Sequence, residues 1–156
     1  MYEVKDGSRI LKFSGQLLGE SSSWRRDSNR WIEFKLYRTE TGKYILSRIG
    51  VSTVFHSSTC SLVKKYGLSE VHPTELRDEA IPCYECNPAR DLPLIFPEKD
   101  RTWAQVSDYA EPVLDALYKQ DHNGARYLTH VAQRLLEQAS AEDANIDLVY
   151  RVEMIP

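Results

Sequence analysis

The chain has 156 residues, of which 42% are hydrophobic and 28% charged, with a net charge of -3. That balance excludes a disordered tail, a collagen-like fibre and a low-complexity polymer. No apolar run approaches the roughly 20 residues that span a bilayer. The opening Met-Tyr-Glu-Val-Lys-Asp has neither the basic region nor the apolar core of a secretion signal, so a cytoplasmic location is expected.

The strand signals come first. Ile10 to Leu18 reads as a strand interrupted by Gly15, which marks a bulge. Gly19 to Asn29, rich in Ser, Arg and Asp, reads as the next loop. Trp31 to Arg38 alternates, with Ile32, Phe34 and Leu36 on one face, and Thr39-Glu40-Thr41-Gly42 supplies a hairpin turn. Lys43 to Phe55 resumes the strand pattern, so residues 8–55 form an antiparallel meander.

Residues 56 to 101 read as irregular and hold five of the seven prolines and all three cysteines. Beyond them, Trp103, Val106, Ala110, Val113, Leu114 and Leu117 follow helical spacing, with a kink or fresh start at Glu111-Pro112 and an end at Asn123-Gly124. Tyr127, Leu128, Val131, Leu135 and Leu136 line a second helix, to about Ala139. Ile146 to Met154 alternates and predicts a strand that returns to the N-terminal sheet. The expected architecture is one α+β domain: an antiparallel sheet over 1–55, a zinc module over 56–90, a helical segment over 91–145 and the returning strand over 146–156.

An odd cysteine count argues against a disulfide framework. His56-x3-Cys60 and Cys83-x2-Cys86 together supply one imidazole and three thiolates, a tetrahedral zinc set that uses every cysteine. Four protein ligands leave no open position, so the Zn²⁺ is expected to be structural. His72, the alternative first ligand, sits before Pro73 in a loop reading.

Val54 to Lys65, followed by Glu79 to Pro88, resembles the Ada-like zinc-binding module: aromatic-His-x3-Cys, a Lys-rich segment, Glu-Ala, then Pro-Cys-x2-Cys-x-Pro. The resemblance covers about residues 54–88. It implies a zinc-stapled element and raises alkyl-acceptor DNA repair as one function. The methyl-accepting thiolate of that family corresponds to His56 here, and an imidazole is the weaker nucleophile, so methyl transfer is disfavoured.

Charge is unevenly spread. Trp24 to Lys65 carries nine bases against three acids, and Tyr66 onward eight bases against seventeen acids. The basic stretch is either a polyanion-facing patch or the solvated face of a sheet. In the first case Arg25, Arg26, Arg30, Lys64 and Lys65 are the candidate nucleic-acid contacts, with aromatics interleaved for stacking. No P-loop, G-x-S-x-G or H-E-x-x-H motif occurs. The leading expectation is therefore a zinc-stabilised, non-enzymatic adaptor that binds a protein partner in a nucleic-acid-acting assembly. Direct DNA or RNA binding through the basic 24–65 face is the alternative.

Overall fold

Residues 1–26, 30–52, 54–55, 81–82 and 101–152 are described by a computed structural model. The alternating residues of Trp31–Arg38 lie in β4 (Arg30–Thr39), at the centre of an antiparallel sheet. Its neighbours are β3 (Gly15–Ser22) and β5 (Tyr44–Ser52), and the strand order is β3-β4-β5-β8, with β8 at Thr102–Ser107. The β4–β5 turn is the expected one, with Gly42 at φ +87°. An N-terminal hairpin, β1 (Tyr2–Asp6) and β2 (Arg9–Phe13), is separate from this sheet. The short strands β6 (Val54–Phe55) and β7 (Ile81–Pro82) pair in parallel.

Three helices follow: α1 (Glu111–Leu117), α2 (His130–Glu142) and α3 (Ala144–Arg151). Between α1 and α2 lies a small hairpin, β9 (Lys119–Gln120) and β10 (Arg126–Tyr127). The described residues thus form a mixed fold, with mainly antiparallel sheets and three helices.

The two faces of the sheet have different covers. Leu18, Phe34, Leu36, Tyr44 and Leu46 pack with Val113, Leu114, Leu135, Leu136 and Ile146 of the helices. Each large aliphatic side chain buried there contributes about 1.5–3 kcal/mol. Tyr37, Ile45 and Ala104 on the other face pack with Val4, Tyr2 and Phe13 of the N-terminal hairpin. Ring centroids of Tyr2, Phe13 and Tyr37 lie 4.8–5.7 Å apart. The hairpin also holds the outer edge of β8: Asp6 Oδ1 accepts from Ala104 N at 3.1 Å, and Gly7 N donates to Thr102 O at 3.1 Å.

Asp143, at the junction of α2 and α3, ties the helical layer to the sheet. One carboxylate oxygen accepts from Tyr44 Oη at 2.9 Å and from the Asn145 and Ile146 amides, capping α3. The other accepts from Arg38 at 2.7 Å. Its side chain is 1% exposed, and four donors offset the cost of burying the charge.

Several expectations are corrected. The run Ile10–Leu18 is two strands that part at Ser14. Gly15 marks no bulge; a Cβ there would stand 2.1 Å from Arg38 O, so glycine permits the close pairing with Thr39. The bulge lies further on, with Leu18 the extra residue between Leu17↔Tyr37 and Gly19↔Leu36. The segment expected as loop from Gly19 is still strand to Ser22. Gly19 is needed because α2 crosses it: a Cβ would lie 3.0 Å from Gln138 Cβ and 3.1 Å from Leu135 O.

Trp103 and Val106 are in a strand, not a helix; β8 takes the sheet position foreseen for residues 146–156. The helix starts afresh at Glu111, with Pro112 in its first turn, where a missing N–H costs nothing. Asn123-Gly124 ends no helix but forms the tip of the β9–β10 hairpin, where Asp121 Oδ1 accepts from the Asn123 and Ala125 amides. The returning strand is corrected over its described residues: 144–151 is α3, because Asp143 caps its first turn and Ile146, Val149 and Tyr150 reach the core at helical spacing. The zinc-module expectation over 56–90 lies outside the described residues, save Ile81–Pro82.

Candidate nucleic-acid interface

On the helix-facing side of the sheet, the cross-strand register sets Phe34 beside Arg48 and Arg48 beside Trp103. The next row is Ile32 and Gly50, where Arg101 donates to Gly50 O at 2.8 Å. Arg30, two positions before Ile32, shares this face. The helices cover one end of the face and leave these rows bordering a cleft of about 500 Å³. That volume is within the roughly 300–1,000 Å³ of ligand sites.

Ile32, Phe34 and Arg48 line the cleft from the sheet, and Trp103 from β8. Trp24 and Arg25, just past β3, line it as well. Leu117 of α1, Lys119 of β9, and His130, Val131 and Arg134 of α2 complete the helical side. Arg134 is steadied by a 2.7 Å hydrogen bond to Ser22 O. The strand-to-loop segment is itself fixed, since Trp24 N donates to Ser22 Oγ and Ile32 N to Ser23 Oγ.

The electrostatics are one-sided. Among the described lining residues are four permanent cations, Arg25, Arg48, Lys119 and Arg134, and no carboxylate. The N-terminal turn of α2 adds positive dipole of the same sign. Partial burial and the nearby charge of Arg101 push the Arg30 guanidinium below its ordinary value, yet an arginine stays cationic at neutral pH. Two tryptophans are exposed at this site, Trp24 at 55% and Trp103 at 39%. Exposed indole next to guanidinium and ammonium groups suits a planar, anionic ligand.

Of the five candidate contacts, Arg25 lines the cleft. Arg26 is exposed beside it, and Arg30 is on the same sheet face. Lys64 and Lys65 lie outside the described residues. Of the interleaved aromatics, Trp31, Tyr37 and Tyr44 are buried and only Trp24 is exposed. The sequence reading missed Trp103, Lys119 and Arg134, and it did not single out Arg48. Trp103 was concealed by its helical spacing to Val106. Lys119 and Arg134 belong to the acidic part of the chain, where charge counting looks elsewhere.

Comparison with family models, with curated proteins and with solved structures finds no match. Among the described residues no group of three His, Cys, Asp or Glu could hold a metal. The Ada-like resemblance is therefore corrected: the chain is not assigned to that family. A C-x2-C turn plus a second ligand pair is a general solution to tetrahedral coordination, so such short motifs recur without kinship. His56, Cys60, Cys83 and Cys86 themselves lie outside the described residues. No described helix is long and apolar enough to cross a membrane.

Proposed function

We propose that the protein is a non-enzymatic accessory subunit that binds nucleic acid directly, through the cleft between β8, the end of β3 and the start of α2. The observation that carries this reading is a lining of four cations and two exposed tryptophans with no carboxylate among the described residues. Cations neutralise phosphates and release counterions, and indoles stack on bases. Fluorescence anisotropy with labelled DNA and RNA at stepped salt tests it. Four phosphate contacts predict a log–log salt slope of about -3 to -4. Salt-independent binding, or none at low salt, overturns the reading.

A protein partner is the second reading. Its support is α3 and the residue that follows it, which present Leu148 at 62% and Val152 at 54% exposure on the acidic side of the chain. Co-purification from the native host tests it, with loss on Leu148→Glu as the expected result.

A structural Zn²⁺ in the middle of the chain belongs to the same proposal. Its support is the four-ligand set and the parallel β6–β7 pairing, which sets Phe55 beside Pro82. His56 and Cys83 are the next residues in sequence. Elemental analysis without one zinc per chain removes this part and leaves the cleft. A cytoplasmic location completes the proposal, and cell fractionation checks it.

A further inference from the structure

The cleft presents exposed aromatic surface on which a flat group can stack. A base inside a duplex has both faces covered by its neighbours and shows only its edges in the grooves. An unstacked base of a single strand has a free face. The two exposed indoles come from different elements, Trp24 from the end of β3 and Trp103 from β8, and both line the same cleft as Arg48 and Lys119. The third tryptophan, Trp31, is buried at 6% exposure and donates to Glu33 at 3.0 Å, so it is no part of the site.

We propose that the cleft takes an unstacked base of a single-stranded nucleic acid, with Trp24 and Trp103 as its stacking surfaces and Arg48 and Lys119 on the adjoining phosphates. This rests on the nucleic-acid reading above and narrows it to single strands. DNA and RNA share this chemistry, since either offers base faces and phosphates. Inorganic polyphosphate offers the charge without the base.

The test is titration of the full chain with a ten-residue oligothymidylate, an oligouridylate of equal length, a duplex of equal phosphate content and inorganic polyphosphate, read by tryptophan fluorescence and by competition. The expected result is quenching by the single strands and binding at least tenfold tighter than to the duplex. Trp24→Ala, in an exposed position, should weaken single-strand binding roughly five- to hundredfold, the effect of losing one stacked base. Trp103→Phe, which keeps an aromatic in the strand, should retain most of the affinity. Tighter binding of the uridylate or of the thymidylate identifies the source and supports the proposal either way. Equal binding of duplex and single strand without quenching overturns it while leaving nucleic-acid binding in place. Polyphosphate competing as well as the oligonucleotides also overturns it. No binding of any nucleic acid at low salt overturns both readings.

Discussion

The helix-facing side of the sheet carries an arginine towards each end, and the two differ in their surroundings. Arg38 meets a buried carboxylate at 2.7 Å and lies 5.4 Å from the centroid of the Tyr44 ring. Arg48 stands between Phe34 and Trp103 in a cleft whose described lining holds no carboxylate. The first charge is neutralised inside the fold and serves cohesion. The second has no carboxylate among the described residues that line its cleft. The same residue type on the same sheet face thus sits in two electrostatic settings, and the Asp143 carboxylate makes the difference.

The largest expected effect comes from breaking the Arg38 end. Asp143→Ala removes the α3 cap and strands the guanidinium and the Tyr44 hydroxyl, at about 3 kcal/mol. Urea denaturation checks it, and a loss below about 1 kcal/mol would mean that the network does not hold the layers together. Next is Gly19→Ala, which pushes against the α2 backbone and should lower stability by about 1–3 kcal/mol. An unchanged denaturation midpoint would refute the close approach of α2 to β3.

Arg48→Ala sharpens the comparison from the other side. Stability should stay within about 0.5 kcal/mol, while the salt slope of nucleic-acid binding falls by about one. A variant that loses stability instead would place Arg48 with Arg38. The smallest effect concerns Asp6, a surface ion pair outside both ends. The hydrogen bond from Arg9, then that from the Ala104 amide, holds its carboxyl below the ordinary 3.8. A lowered pKa stabilises the fold above the unfolded value, and that contribution is lost as pH falls from about 3.8 through the folded value. Asp6→Asn should therefore flatten the acid limb of stability by less than about 1 kcal/mol, as followed by denaturation between neutral and acid pH.

Much of the fold could be read where one period dominated. The β4–β5 hairpin follows from strict alternation and Gly42, and α2 from the spacing of Val131, Leu135 and Leu136. The errors arose where two periods fit. Trp103 and Val106 are three apart, as on a helix, yet Thr102 and Ala104 also alternate inward against the hairpin. Ile146, Leu148, Tyr150 and Val152 alternate as in a strand, yet Leu148 is exposed on a helix that Asp143 caps and Val152 is exposed just past its end. The site was half legible. Arg25 stood out by charge, whereas Arg48 and Trp103 become neighbours only through the register of β5 with β8, and register is a property of pairing that one strand does not encode.

The bulge in β3 bears on how this chain tolerates a change in length. Removing a residue from a paired strand ordinarily turns every later side chain to the opposite face. Leu18 is the exception, because it is the one residue in β3 without an opposite number: Leu17 already faces Tyr37 and Gly19 already faces Leu36. Deleting it leaves Ser21 beside Phe34 and Ser22 beside Glu33. The penalty is then that of one missing core leucine, about 2–5 kcal/mol, and the strand stays in phase. A deletion two residues later, at Glu20, would instead turn Ser21, which donates to Val131 O, away from α2.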